Sequence, residues 1–263
     1  MMPRTRANQR SILAFDVGNT SVKCAALVHG RWQRLARLAT GPVAELAGRL
    51  AEKLPAGKAR ALRPARCVVA SVCPAADGAV VEFARSLGVE RAEFFGRDIA
   101  VPIRMKVREP ERVGADRLLS AFAARALREA PCIVVSAGTA ITVDLVDAEG
   151  CFAGGAIGPG LHLSARALHE HTALLPLVAP AGPPEAAGQD TASAVQAGVY
   201  WFCAGGVRAL IEQLRQTPGC SGAAVVCTGS DAPLILPALP EGDACEEPDL
   251  VFKGMAAALG LAP

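Results

Sequence analysis

Ile12-Leu13-Ala14-Phe15-Asp16-Val17-Gly18-Asn19-Thr20 has the same form as Cys132-Ile133-Val134-Val135-Ser136-Ala137-Gly138-Thr139-Ala140, about half a chain later. Each opens as an apolar run suited to a buried strand and breaks at a glycine turn. Each then continues through an alternating or apolar segment, Thr20 to Val28 or Ile141 to Asp147, to a second turn at His29-Gly30 or Glu149-Gly150. From Asp16 to Gly30 and from Ser136 to Gly150 the spacing is the same, 14 residues. Two copies of one β-turn-β-turn-β unit predict a duplicated α/β fold with two glycine turns facing each other across a cleft. Such turns present backbone N–H groups, which suit phosphate.

Length and composition bound the reading. A chain of 263 residues with 51% hydrophobic residues can bury a large core in one big domain or two smaller ones. Net charge is only +2, and no basic run interleaved with aromatics recommends nucleic acid. Arg4, Arg6 and Arg10 read as a frayed terminus, and the apolar run after them meets Asp16 too soon for a signal peptide. No stretch approaches the roughly 18 apolar residues of a membrane span. The nine cysteines are scattered without a C-x-x-C pair and read as reduced, mostly buried small hydrophobes of a cytoplasmic protein.

Patterning predicts strands over 11–16, 20–28 and 31–38, then a helix from Pro42 to Leu54 with Val43, Leu46, Ala47 and Leu50 on one face, ended by Pro55. A strand at Cys67–Val72, a helix at Ala79–Leu87 and a short strand at Ala92–Phe95 follow. Val113 to Leu127 predicts a helix burying Leu118, Leu119, Phe122, Ala123 and Leu127. The second meander spans 132–157 and gives way to the glycine-rich Gly154 to Gly160. Residues 176–189 read as loop, and a helix from Thr191 to Gln216, a strand from Ala223 to Cys227, the turn Thr228-Gly229-Ser230 and a helix around Leu250–Leu259 complete the chain.

Four motifs carry chemistry. Asp16 to Thr20 can be an ordinary hairpin turn. However, an ionised Asp16 at the end of a buried run costs several kcal/mol, on that order, unless a cation or donors compensate. Magnesium carrying ATP phosphates would do so, and Lys23 can reach the same phosphates or stand solvated. In Gly114-Ala115-Asp116-Arg117 the acid can be a helix N-cap, or it can orient and deprotonate a hydroxyl beside an Arg that grips an acidic substrate. Ser136-Ala137-Gly138-Thr139 and Thr228-Gly229-Ser230 complete three strand-end glycine turns, in an order that fits β-phosphate, γ-phosphate and adenosine. Neither G-x-x-x-x-G-K-[ST] nor G-x-G-x-x-G occurs. His162, His169 and His171, with Glu170, lack the ligand spacing of a zinc site.

At these residues the chain resembles the type III pantothenate kinases, the Bvg accessory factor family, within the acetate and sugar kinase/actin superfamily. The resemblance runs nearly end to end, through Asp16 to Thr20, Ser71-Val72-Cys73-Pro74, Pro110 with Val113 to Arg117, Gly138 to Asp144, Gly154 to Ile157 with Pro159-Gly160, Gly188-Gln189-Asp190-Thr191, and Thr228 to Ser230. It implies a duplicated ribonuclease-H-like, actin-like ATPase fold, with one lobe over 1–115, a second over 116–263, and the last helix packing back on the first. It also implies ATP-dependent phosphorylation of pantothenate to 4'-phosphopantothenate, the first step of coenzyme A biosynthesis, in a cytoplasmic homodimer.

Residue by residue, the resemblance makes Asp16, Val17, Gly18, Asn19, Thr20, Ser21, Val22 and Lys23 the first phosphate loop, with Asp16 near magnesium. Gly138 and Thr139 would meet the γ-phosphate, and Thr228 and Gly229 the nucleoside. Asp116 would be the base, while Gly114, Ala115, Asp116, Arg117 and Thr191 would hold pantothenate. Two positions depart from the family. Ser136 stands where an Asp normally helps bind a monovalent cation such as potassium or ammonium, leaving Asp144 as another acid for that ion. Val107 stands where the family often has a substrate-binding Tyr. These departures leave room for a non-catalytic accessory protein on the same fold, and the fold permits a kinase of another small hydroxy-acid.

Overall fold

The computed structural model describes residues 11–54, 64–240, 242 and 244–261. Arg4, Arg6, Arg10 and Pro55 lie outside the described residues. Two compact units divide the chain. The first comprises Met1–Pro102, Glu111–Leu119 and Val251–Pro263, and the second Ile103–Pro110 and Ser120–Leu250.

In the first unit β1 (Ile12–Val17) pairs antiparallel with β2 (Ser21–Val28), which pairs antiparallel with β3 (Arg31–Ala39). On the other side of β1, β4 (Arg66–Ser71) and β5 (Ala92–Phe94) add in parallel, giving the order β3-β2-β1-β4-β5. Central β1 is apolar on both faces because both are covered. Leu13, Phe15 and Val17 pack with Leu46 and Leu50 of α1 (Leu46–Lys53) and with Val80 and Phe83 of α2 (Pro74–Ser86). Phe15 meets Phe83 edge to face, centroids 6.2 Å apart. The opposite face carries the small residues Ala14, Ala25 and Ala70, against Ala115 and Leu119 of α3 (Ala115–Arg128).

The second unit repeats the plan. Strands β6 (Cys132–Ala137), β7 (Ala140–Val146) and β8 (Phe152–Pro159) form the antiparallel meander, and β9 (Ala224–Thr228) and β10 (Ala244–Glu246) add in parallel beyond β6. The order β8-β7-β6-β9-β10 matches that of the first sheet. Closing pairs Val17↔Val22 and Ala137↔Ile141 enclose residues 18–21 and 138–140, so the second glycine turn is one residue shorter. Helix α4 (Leu161–Glu170) follows β8, and α5 (Thr191–Arg215) fills the core with Val195, Val199, Tyr200, Val207 and Ile211. The chain continues through the short α6 (Ala232–Ile235) and ends in α7 (Leu250–Ala258), whose Phe252 and Met255 belong to the Ala14 face of the first unit.

Several expectations need correction. Helix α2 begins at Pro74, five residues before Ala79, because Pro is suited to a first helical position where no N–H is needed. Helix α3 begins at Ala115, not Val113, with Gly114 as the residue whose carbonyl accepts from Arg117 and Leu118 N–H. Leu127 is 38% exposed and Phe122 only half-buried, since the last turns of α3 leave the core. The glycine-rich Gly154 to Pro159 is strand β8 itself, and α4, α6 and β10 were not anticipated. The 25-residue α5 meets the length and apolarity of a membrane span, contrary to the sequence estimate, but it is built into the second unit's core.

Candidate active site

In the first unit the glycine turn sits where β1 ends. Asp16 pairs directly with Lys23 across the ladder, and Lys23 Nζ donates to Asp16 Oδ2 at 2.9 Å. The carboxylate at the end of the buried run is therefore compensated by this chain's own ammonium; its side chain stays 13% exposed. Gly18 N–H donates to Ser21 O at 3.0 Å and closes the turn that holds Asn19 and Thr20.

The Gly114-Ala115-Asp116-Arg117 motif belongs to the same unit and to the sheet face of Asp16. Asp16 lies two residues beyond Ala14, whose side chain packs with Ala115 and Leu119. Gly114 abuts Val72, whose N–H donates to Val17 O at the end of β1. A Cβ on Gly114 would meet the Val72 side chain and Asp116 Oδ1, so glycine brings the start of α3 onto the strand ends. Asp116 is no N-cap: it lies in the first turn of α3, its Oδ1 accepting from Arg117 N–H at 2.9 Å. The structure thus groups Asp16 to Lys23 with Gly114 to Arg117.

Beside Val72 a partly buried network forms: Ser71 Oγ donates to Asp77 Oδ1 at 2.5 Å, and Arg97, stacked over Phe94, donates to Asp77 Oδ2.

In the second unit Ser136 faces Thr142 on β7 and Thr228 on β9, so three hydroxyl residues stand in a row at the strand ends. Two segments close on the Ala137–Thr139 turn. Gly160 N–H donates to Thr139 O at 3.0 Å and Asp231 N–H to Ala137 O at 3.1 Å. Gly229 has φ +102°, a conformation that favours glycine, and a Cβ there would strike Ala137. A Cβ on Gly160 would likewise strike the carbonyls of Gly138 and Thr139. Ser136, Gly138, Thr139, Thr228 and Gly229 are therefore one cluster.

Thr191 opens α5, where Asp190 and Ser193 form a capping box with Oδ1 accepting from Ser193 N–H at 2.8 Å. These bonds hold the Asp190 carboxyl below its usual range. Thr191 also lines an apolar groove of 930 Å³ between α4 and α5, with Leu163, Leu168, Val195, Phe202 and Leu210.

Two predicted residues are set back from the turns. Asp144 is fully buried in the middle of β7 and accepts from Thr142 Oγ1 at 3.0 Å. Val107 lies beside Gly154 of β8, in a segment whose Lys106 N–H donates to Phe152 O. That segment is clamped by Lys106, whose Nζ lies 2.7 Å from Asp147 and 2.9 Å from Glu149. Burial pushes the Asp147 carboxyl up, but Lys106 and two backbone N–H groups outweigh it and hold it below the usual range.

A family model described as type III pantothenate kinase matches residues 12–213. The chain belongs to the type III pantothenate kinase family. A type III pantothenate kinase from Paramagnetospirillum magneticum is 34% identical over 249 residues, covering 93% of this chain and 95% of that protein. Among solved structures, a Baf-family protein from Campylobacter jejuni has a TM-score of 0.60 at 16% identity, covering 94% of this chain and 97% of that one. MreB5 of Spiroplasma citri bound to ADP has a TM-score of 0.52 at 10% identity, covering 95% and 96%. The fold is thus that of the actin-like ATPases and sugar kinases.

Within this pantothenate kinase family member, sequence reading missed Thr40, whose hydroxyl donates to Gly18 O at 2.7 Å. A single Thr at a strand end carries no local signal; its role exists only through a contact 22 residues away.

Proposed function

We propose that this protein transfers the γ-phosphoryl group of ATP to the primary hydroxyl of pantothenate, giving 4'-phosphopantothenate and ADP. The observation that carries the reading is the grouping, within one unit, of a glycine turn flanked by Asp16 and Lys23 with Asp116 and Arg117 at the start of α3. Residues Asp16 to Lys23 take the ATP phosphates, with backbone N–H groups and the Lys23 ammonium opposing their charge. Gly138 and Thr139 contact the γ-phosphate, and Thr228 and Gly229 the nucleoside.

Asp116 accepts the hydrogen bond of the pantothenate hydroxyl, aims its oxygen at phosphorus, and takes the proton as the new O–P bond forms. Arg117 pairs with the pantothenate carboxylate in a charge-assisted contact, and Thr191 adds a polar contact. Phosphoryl transfer has a loose transition state, so positioning and charge neutralisation dominate over base strength.

The residues fit magnesium: Asp16 offers a hard oxygen ligand at the strand end, and Lys23 can exchange this carboxylate for phosphate oxygens. Magnesium supplies charge neutralisation of the phosphates. At the monovalent-cation position Ser136 offers a neutral oxygen, and Asp144 is buried one row deeper with Thr142 bonded to it. This pattern supports weak potassium dependence.

The protein acts as a cytoplasmic homodimer. In support, α5 turns Phe202 outward at 84% exposure beside Trp201 and the apolar groove, more apolar surface than one unit's core uses. A coupled ADP-release assay with ATP, magnesium and pantothenate tests the activity, and light scattering the dimer. Pantothenate-independent ADP release would contradict the first, and a fully active monomer the second.

A further inference from the structure

Thr40 and Arg49 belong to no motif, yet Thr40 reaches the first glycine turn and Arg49 grips the segment that carries Thr40. Thr40 follows β3 and is 1% exposed, so its hydroxyl must be satisfied inside the protein. It donates to Gly18 O at 2.7 Å, while Thr40 N–H donates to Thr20 O at 3.0 Å. Arg49 on α1 holds this segment from the other side. Its Nη1 donates to Ala39 O at 2.9 Å, and its Nη2 to Thr40 O at 3.1 Å and Pro42 O at 2.9 Å.

We propose that Thr40 is a positioning residue for ATP binding, braced by Arg49, which fixes the Gly18–Asn19 peptide plane so that Asn19 N–H points at phosphate. In a trans peptide the C=O and the following N–H point in opposite directions. Holding Gly18 O on the Thr40 side therefore aims Asn19 N–H out of the turn. Glycine tolerates both orientations of that plane, so the sequence of the turn alone does not choose between them. The Thr40 hydroxyl makes the choice, and three carbonyl contacts from one guanidinium keep Thr40 in place.

This inference rests on the reading of Asp16 to Lys23 as the ATP phosphate turn, and the experiment separates the two. Steady-state kinetics are measured for Thr40→Val, Thr40→Ser, Arg49→Lys and, as a reporter of the turn itself, Lys23→Ala. Thr40→Val keeps the shape and removes the hydroxyl, so the KM for ATP should rise about tenfold, the scale of one lost hydrogen bond, with the pantothenate KM unchanged. Thr40→Ser restores the donor and should return the ATP KM close to wild type. Arg49→Lys keeps the charge but not the three-way grip, and should raise the ATP KM in the same direction. It carries the test if Thr40→Val does not fold.

A wild-type ATP KM in Thr40→Val, or in Arg49→Lys where Thr40→Val does not fold, overturns the inference if Lys23→Ala is impaired. A serine variant as impaired as valine also overturns it. If Lys23→Ala itself leaves the ATP KM unchanged, the phosphate reading of the turn fails and this inference with it.

Discussion

Lys23 stands directly across the β1–β2 ladder from Asp16, its Nζ 2.9 Å from the carboxylate that ends the buried strand. The pair is partly exposed, which makes it a small contributor to stability, on the order of 0–1 kcal/mol. Its value lies in what each charge meets when a polyanion arrives. Lys23→Ala should raise the ATP KM roughly ten- to hundredfold with melting temperature little changed. Asp16→Asn should lower kcat about a hundredfold or more. Wild-type kinetics in both variants would reduce the pair to a strand ornament.

Asp116 and Arg117 are adjacent in the first turn of α3, and the proposed reading gives them different stages. Asp116→Asn should lower kcat by roughly 10²–10⁴ with ATP affinity unchanged. Arg117→Ala should mainly raise the pantothenate KM, because its contact is present in ground and transition states alike. Steady-state kinetics against each substrate separate the two, and equal effects on kcat from both would refute the division of labour.

Gly160 tests the second turn. Its missing Cβ is what lets the end of β8 lie on the carbonyls of Gly138 and Thr139. Gly160→Ala should cost about 1–3 kcal/mol through overpacking, and should depress activity further than the lost stability explains. Thermal unfolding and kinetics on one preparation decide it; an alanine variant with normal stability and turnover would mean the turn is free to shift.

By the resemblance, Ser136 stands where an Asp would add a negative charge. With no carboxylate to repel the phosphates, activity should depend only weakly on potassium or ammonium, and Ser136→Asp should create or strengthen that dependence. A wild-type activation by potassium of tenfold, about 1.4 kcal/mol in transition-state terms, would mean that other oxygens hold the ion.

Much of the fold could be read from the chain because period-2 burial and glycine turns are local signals. Strands β1 to β5 and β9 fall within a residue or two of expectation, whereas β8 runs through the glycine-rich Gly154 to Pro159 that reads as punctuation, and the shared sheet order goes with the repeated meander. Helix α4 was hidden because Gly158-Pro159-Gly160 punctuates the chain like a loop, although Gly160 is also the residue that starts the helix. Asp16 is legible as an acid at the end of a buried run, but the Lys23 ammonium that meets it follows from ladder register rather than sequence distance. Thr40 and Arg49 left no trace in the sequence, since a hydroxyl and a guanidinium aimed at backbone carbonyls have no periodicity to betray them.

The central claim is that pantothenate is phosphorylated at the site built around Asp116. Mass spectrometry of the products from purified wild-type and Asp116→Asn protein, each given ATP, magnesium and pantothenate, tests it most directly. The account predicts 4'-phosphopantothenate from the wild type and a product rate lowered by roughly 10²–10⁴ in the variant, with ATP binding retained in both. Folded wild-type protein that binds ATP and forms no phosphopantothenate, with or without potassium or ammonium, would contradict it.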